Sequence, residues 1–390
     1  MFQFAIISIL LLLAHTYLLY PIFLSLLARK ALFHHFPTTN PVLPNDLPSV
    51  SLIVAAYNEE GVIERKLKNS FTLNYPRELF DMVLASDGSS DGTVAAAKRF
   101  AQCSGARLQI LDLDRAGKAS ALNCAIPFTT GEIVIFSDAN TILDSQAIRE
   151  LVKYFSNSKV GCVSGRLVLS NPSGVTSGKG ESFYWRYESR LKALESSLGY
   201  VAGANGALYA IRRSLFVPLP PHTINDDFLV SMRIVAAGFY CLDEPQALAY
   251  EEVAPSISNE FERHVRDGAG HYLALWDLRC LLNPVVGTRS FIFWSHRALR
   301  WAAPFLLILL IILSLLLAYS PVFYILLLSQ VFFYLLAFSG CILMHWRRLP
   351  VFLYVPFYFF NLNAALFLGF LRVMRGAATP AWRTTPRAPS

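Results

Sequence analysis

The chain predicts a doubly wound α/β domain placed between membrane-spanning helices, and three observations carry that expectation. Short apolar runs alternate with amphipathic stretches between residues 50 and 136, the pattern of a parallel sheet covered by helices on both faces. Several of these runs end in acidic or small polar residues, as strands do where an open sheet meets its ligands at the carboxyl edge. Long uncharged segments occupy residues 4–27 and roughly 302–371, while the middle reads as an ordinary globular sequence. With 54% hydrophobic and 16% charged residues, the chain is too apolar for a wholly soluble protein. Its net charge of +7 gathers beside the apolar segments, where basic residues mark the cytoplasmic face of a membrane. That placement, without a nucleic-acid-binding motif, argues against nucleic acid as a partner. The six cysteines, Cys103, Cys124, Cys162, Cys241, Cys280 and Cys341, show no CxxC spacing. Such scatter argues against a zinc site or a disulfide framework and fits a reducing cytosol.

Phe4 to Leu27 is an apolar stretch of 24 residues, long enough to cross a bilayer core of about 30 Å. Arg29 and Lys30 follow it, whereas a signal peptide carries its positive charge in front, so residues 1–30 read as a retained anchor with the N-terminus outside. Residues 31–48 read as a stiff linker, with four prolines between Pro37 and Pro48. A cytosolic domain is expected over 49–280. Val50 to Ala56 is its first strand and runs into Tyr57-Asn58-Glu59-Glu60, with a helix through Leu73. The strand Asp81 to Ser86 leads to Asp87-Gly-Ser-Ser-Asp-Gly-Thr93, where glycines let a backbone approach a ligand closely. Val94 to Ala101 is helical, Leu108 to Leu111 is the third strand, and Asp114 to Asn123 opens another helix.

The fourth strand anchors the site. Ile133 to Phe136 is a continuous apolar run that ends abruptly in Ser137, Asp138 and Asn140, which puts a carboxylate where it can reach a metal and a diphosphate. A lone acid there would read as a helix cap or Asx-turn; the other acidic strand ends turn the reading toward chemistry. No GxGxxG follows the first strand and no GxxxxGK[ST] occurs, so a dinucleotide fold and a P-loop are disfavoured. A nucleotide site would be built from side-chain carboxylates and Lys118.

In the second half of the domain, Gly161 to Leu169 reads as a strand and Glu181 to Leu198 as an amphipathic stretch carrying Tyr184, Trp185 and Tyr187. Gly203-Ala-Asn-Gly206 is a glycine turn into a strand ending at Ile211, and Ile224-Asn-Asp-Asp-Phe-Leu-Val230 places paired acids at a helix start. Such acids can simply stabilise the helix dipole. Arg263 and Arg266 fall on a predicted helix at i, i+3 and share a face, either solvated or a clamp for phosphate oxygens.

From Arg289 the pattern becomes amphipathic, and 281–301 reads as an interfacial segment. Residues 302–371 form the membrane region: Ala302–Ala318 and Val322–Met344 are spans joined by a tight Tyr319–Pro321 turn, with Trp346-Arg347-Arg348 back on the basic side. Val351 to Leu371 is apolar but holds Pro356, Asn361 and Asn363. A full crossing would leave Arg372, Arg375, Arg383 and Arg387 of the basic tail 372–390 outside, against the positive-inside rule, so an embedded or re-entrant segment is expected.

Taken in order, these motifs from about residue 48 to the C-terminus resemble the family 2 glycosyltransferases, in the membrane-embedded branch that includes cellulose, hyaluronan and poly-N-acetylglucosamine synthases. The resemblance implies a GT-A-type mixed sheet, a UDP-sugar donor and Mg²⁺ or Mn²⁺. It implies nucleotide contacts for Asn58, Glu59, Asp87, Lys118 and Asp138, with Asp138 and Asn140 at the DxD position of the metal. Gly203, Asn205 and Gly206 match an acceptor-side loop. Asn225-Asp226-Asp227 stands where the family has Thr-Glu-Asp, so Asp226 and Asp227 join Arg266 as catalytic candidates, with Asp227 as general base. Arg263 and Arg266 stand at the Gln-x-x-Arg-Trp position as phosphate contacts. Two departures matter: Asn140 removes one charge from the metal cradle, and Arg263 and Asp267 replace the glutamine and tryptophan, which puts processivity in doubt.

The implied reaction is a single inverting displacement in the cytoplasmic membrane, with the catalytic domain cytosolic. The acceptor is a growing glycan, with export subunits as candidate partners, or a lipid that takes one sugar. The tail from Trp382 to Arg387 is similar to aromatic-basic tails near the synthases' channel mouths and favours the polymer. A membrane scaffold with a degenerate nucleotide domain is the rival from another class; Asp87, Asp138 and Asp227 all being present argues against it.

Overall fold

The computed structural model describes residues 2–31, 47–170, 179–252, 257–343 and 349–380. The linker up to residue 46, the Trp346–Arg348 return and the tail from Trp382 lie outside the described residues. The chain opens with α1 (Phe2–Ala14) and α2 (Tyr20–Ala31), then β1 (Val50–Ala56), α3 (Glu60–Phe71), β2 (Phe80–Asp87), α4 (Thr93–Ser104) and β3 (Leu108–Leu113). It continues through α5 (Lys118–Ala125), β4 (Ile133–Asp138), β5 (Ile142–Leu143), α6 (Ala147–Val152), β6 (Val160–Ser170), α7 (Lys179–Ser197) and β7 (Leu208–Arg212). Then come α8 (Asp226–Ala236), β8 (Tyr240–Glu252), α9 (Ile257–Asp277), α10 (Thr288–Phe293), α11 (Leu299–Leu316), α12 (Pro321–Leu343) and α13 (Val351–Met374). These elements form two compact units, a sheet unit (Lys30–Ser173, Glu195–Pro255, Thr379–Ser390) and a helical unit (Met1–Arg29, Gly174–Leu194, Ser256–Ala378).

The sheet unit is built on eight strands in the order β3-β2-β1-β4-β7-β6-β8-β5. β1 is buried along its whole length and pairs in parallel with β2 and β4. Its unbroken apolar run is what a central strand covered on both faces requires. The parallel register ends Asp87 of β2 and Asp138 of β4 at the same edge, one strand to either side of Ala55 and Ala56 of β1. Beyond β4 the sheet turns mixed, because β7 runs antiparallel to both β4 and β6. The parallel alternation expected from sequence therefore holds for β1 to β4, and the antiparallel β7 gives the mixed sheet that the resemblance implies. Gly131, just ahead of β4, approaches β1 so closely that a Cβ would fall 2.5 Å from the Ser51 amide nitrogen; only glycine fits there.

Two strands carry no reading in the sequence analysis. β8 contains Asp243, Glu244 and Pro245, and its pairing with β6 shifts register between Ser164 and Arg166, where β8 passes from Asp243 to Leu248. Proline is tolerated at such a break in the ladder, so a strand continues through residues that look like a loop. β5, two residues long, is too short for periodicity to register.

Within the helical unit, Ile6 and Ile9 of α1 pack against Leu310 and Leu313 of α11. α9 and α13 meet through small residues: a Cβ on Gly369 would lie 2.6 Å from the Ala269 amide nitrogen and 2.8 Å from Val265 O. Among the described residues four helical segments are long and apolar enough to cross a membrane: Phe2–Arg29, Thr288–Leu316, Pro321–Leu343 and Val351–Met374. Trp301, where the sequence sets the boundary between an interfacial segment and the membrane region, lies inside a helix. Thr288–Leu316 is one continuous helical segment, passing through a π turn at Trp294–Ala298. The polar residues that mark the break in sequence are accommodated inside the unit, where Glu188 of α7 accepts from Arg300 at 2.5 Å and pairs with His296 at 3.2 Å. α13 likewise stays helical through Pro356, and Asn363 donates Nδ2 to Phe359 O at 2.8 Å.

Candidate active site

The carboxyl edge of β2, β1 and β4 carries the polar groups. At the end of β2 the Asp87 carboxylate is buried and accepts from the amides of Ala116 and Gly117, at 2.7 and 2.9 Å, and from Arg115 at 2.9 Å. Gly117 has φ +95°, a conformation open to glycine, and it caps α5, whose first residue is Lys118. Asp87 thus fixes the turn that launches Lys118. The Arg115 guanidinium lies 3.2 Å from the centroid of the Tyr57 ring, joining this turn to the loop after β1. In that loop Asn58 is left-handed (φ +53°), donates its amide to Ser89 Oγ at 3.1 Å and accepts from the Ser90 amide at 2.8 Å. The Glu59 amide donates to Thr93 Oγ1 at 2.8 Å. The loops after β1 and β2 therefore brace each other, and the side chains expected at a nucleotide cluster on one edge.

Lys118 joins the two acidic motifs. Its Nζ lies 2.9 Å from Asp138 Oδ1 and 3.4 Å from Asp226 Oδ1. Burial works against its charge, but Asp138 and Asp226 outweigh burial and push the Lys118 pKa up. Asp226 and Asp227 open α8, and burial raises the pKa of both, opposed at Asp226 by Lys118. Asp227 reaches about 6, burial being the first cause and the Asp226 charge the second. A carboxyl held near 6 has the basicity suited to accepting a proton close to neutrality. Gly206 sits against it: a Cβ there would lie 3.1 Å from Asp227 Oδ2. Asn205 shapes the same loop by accepting from the Ala207 amide at 3.1 Å, and Gly203 supplies φ +111°. The structure thus brings Lys118, Asp138, Asp226, Asp227 and the Gly203–Gly206 loop together.

Asn140 donates Nδ2 to Glu251 Oε1 at 2.8 Å. The antiparallel pairing of β5 with β8 sets Ile142 opposite Tyr250 and so delivers Glu251, a residue with no signal in the sequence because β8 is not legible there. Its carboxylate stands one hydrogen bond from the amide that replaces the second DxD acid. Among the described residues no group of three or more His, Cys, Asp or Glu could hold a metal ion. The side chain of Asp138 is 37% exposed, and the buried Asp226 Oδ2 accepts no hydrogen bond. This donor set fits a hard cation that takes one carboxylate and fills its sphere with phosphate oxygens and water, as Mg²⁺ does. Arg263 and Arg266 lie on α9 in the helical unit, Arg263 exposed and Arg266 half-buried with Asp267 at 3.6 Å. Their role toward a diphosphate rests on the resemblance.

The model of the family described as "Glycosyl transferase family 2" matches residues 51–216. A beta-monoglucosyldiacylglycerol synthase of Trichormus variabilis is 29% identical over 268 residues, covering 64% of this chain and 54% of that protein. A poly-beta-1,6-N-acetyl-D-glucosamine synthase of Staphylococcus epidermidis is 26% identical over 275 residues, covering 67% and 66%. The chain thus spans about half the length of the first relative and just under two thirds of the second. Among solved structures, a mannosyltransferase from Pyrobaculum calidifontis in complex with GDP-Man and Mn²⁺ superposes with a TM-score of 0.64, at 21% identity, over 91% of this chain and 97% of that one. That likeness is one of fold, a GT-A-like mixed sheet with helices. On these matches, and with its acidic strand ends gathered at one edge of the sheet, the chain carries a glycosyl transferase family 2 domain.

Proposed function

We propose that the protein is an inverting membrane glycosyltransferase that moves a sugar from a UDP-sugar to a hydroxyl of a growing glycan. The observation that carries this reading is the Asp227 carboxyl, lifted to about 6 by burial and by Asp226, packed against the Gly203–Gly206 loop. In the reaction, Asp227 removes the proton of the acceptor hydroxyl as its oxygen attacks the anomeric carbon, a role that contributes about 10²–10⁴-fold in rate. The bond from that carbon to the donor phosphate breaks in the same step, and UDP departs from the opposite face, which inverts the configuration. Lys118, paired with Asp138 and Asp226, is placed to carry positive charge between the donor side and the acceptor side of the site. Mg²⁺ or Mn²⁺ held by Asp138, with Asn140 and Glu251 beside it, would neutralise negative charge on the diphosphate when bound.

Transfer of a single sugar to a lipid acceptor is the second reading. Arg263 and Asp267, in place of the glutamine and tryptophan of processive enzymes, support it, as does the similarity to a synthase named for a glucosylated diacylglycerol. Purified protein in lipid, incubated with a panel of UDP-sugars with and without EDTA, tests the proposal. UDP release that EDTA suppresses is the expected result, and no release from any donor would point to a scaffold. Sizing the product separates the readings: a ladder means polymer, and one discrete lipid-soluble species means single transfer.

A further inference from the structure

Lys66 lies in the middle of α3 among charged neighbours, Glu64, Arg65 and Lys68, yet its own side chain is fully buried. An ammonium has three protons to donate and no lone pair. All three find acceptors in one short segment: Ser137 Oγ at 2.7 Å, Thr141 O at 2.9 Å and Thr141 Oγ1 at 3.1 Å. None of these partners is a carboxylate, so the contact is not an ordinary buried ion pair. Ser137 and Thr141 flank Asp138-Ala139-Asn140, the turn that carries the donor-side carboxylate. Three residues further along α3, Asn69 grips the same segment from both sides, donating to Leu143 O at 2.9 Å and accepting from the Leu143 amide at 2.8 Å.

The chemistry of the ammonium dictates what the two hydroxyls do next. Each hydroxyl has one proton, and each must accept from Lys66, so each is left to donate onward. Ser137 Oγ donates to Ala207 O at 2.8 Å. Thr141 Oγ1 donates to Asp138 O at 2.9 Å. In its protonated form Lys66 therefore leaves one hydroxyl to donate to the turn of Asp138 and the other to the end of the Gly203–Gly206 loop, which packs on Asp227. The two hydroxyl oxygens are themselves only 2.9 Å apart. Without the ammonium one hydroxyl could donate to the other and release its own carbonyl.

We propose that Lys66 is a positioning residue for glycosyl transfer: by orienting the Ser137 and Thr141 hydroxyls it sets the Asp138–Asn140 turn and the Gly203–Ala207 loop relative to one another. The functional half of this statement rests on the reading of Asp138 as the donor-side carboxylate, and the positioning half does not. A core role alone would be served by an apolar side chain of the same length, which also avoids the cost of burying a charge.

The test compares the full-length protein with Lys66→Met in lipid nanodiscs. Without ligand, hydrogen exchange followed by mass spectrometry should be at least about tenfold faster in peptides covering 138–143 and 203–208, with 50–56 and 80–87 unchanged. Uniform acceleration across all strands, or none anywhere, would overturn the assignment. In a second arm UDP with MgCl₂ is titrated into both proteins, and Lys66→Met should raise the dissociation constant at least about tenfold, or about 1.4 kcal/mol. Unchanged UDP affinity despite the local opening would remove the functional role. If the unaltered protein binds no UDP, the donor reading fails while the exchange arm still decides the positioning. Should Lys66→Met not accumulate, Ser137→Ala keeps Lys66 on Thr141 and removes the hydroxyl that joins Lys66 to Ala207 O; exchange that quickens more in 203–208 than in 50–56 and 80–87 supports the proposal, and no change overturns it.

Discussion

Asp227 is ionised at neutral pH at the expense of the folded state. Its pKa rises from 3.8 to about 6 on folding, through burial first and the neighbouring Asp226 second. Between about pH 4 and 6 the folded protein holds this proton more tightly than the unfolded chain. Stability from this group therefore falls as pH rises through that window, and the cost is fully present above it. Asp227→Asn removes the cost, so thermal unfolding at pH 7.5 should move upward while turnover drops at least about a hundredfold. The same shift puts an acid limb near pH 6 in kcat/KM, with activity lost below it as the base takes up its proton. A variant with normal turnover, or a profile flat to pH 5, would remove Asp227 from the role. These residues are legible in sequence because acids at strand ends and helix starts have a direct chemical reading. Lys66 is not: in Glu64-Arg-Lys-Leu-Lys68 it reads as one more charge on a solvated face, and only the seating of α3 against the turn after β4 shows otherwise.

At the scale of elements, glycines decide how closely functional segments approach. The Gly203–Gly206 loop lies against Asp227 because Gly206 has no Cβ; one would stand 3.1 Å from Oδ2. Gly206→Ala must push the carboxylate by a few tenths of an ångström, and misplacement of that order is costly to catalysis but not to folding. The expected outcome is a kcat lowered about tenfold or more with an unfolding midpoint within a few degrees of the unaltered protein. In the helical unit the closer contact is at Gly369, where a Cβ would lie 2.6 Å from the backbone of α9. Gly369→Leu must part α9 from α13. It should lower the unfolding midpoint clearly, where the same change at the open Gly61 should do little. β1 to β4 and their helices follow from alternation and length alone. β8 does not, because Asp243-Glu244-Pro245 reads as a loop, and with β8 hidden Glu251 and the Asn140 contact are hidden too. The helical segment Thr288–Leu316 reads as two pieces for a related reason: the polarity of His296 and Arg300 is visible in sequence, but Glu188, which offsets it, lies more than a hundred residues earlier.

For the whole molecule, chain continuity constrains how often the protein crosses a membrane. The sheet unit includes residues up to 255 and again from 379 onward. Pro380 packs on Gly117, whose Cβ position lies 3.4 Å from Pro380 O, so both stretches are on one side of any bilayer the protein spans. The chain between them must then cross an even number of times. Among the described residues three segments there are long and apolar enough to do so: Thr288–Leu316, Pro321–Leu343 and Val351–Met374. At least one of the three then does not cross, and we expect it to be α13, which has Pro356, Asn361 and Asn363 in its length and Arg372 and Arg375 at its end, features that favour an embedded helix with its basic end on the positive side. The measurement is labelling by a membrane-impermeant maleimide in oriented vesicles. Exposed Cys103 on α4 marks the sheet side, and the other native cysteines are replaced. A cysteine introduced at Ala378 should react from the same side as Cys103, and one at the exposed Tyr319 from the other. Ala378 reacting together with Tyr319 would mean that α13 spans the membrane after all, and that the packing of Pro380 on Gly117 does not hold in the bilayer.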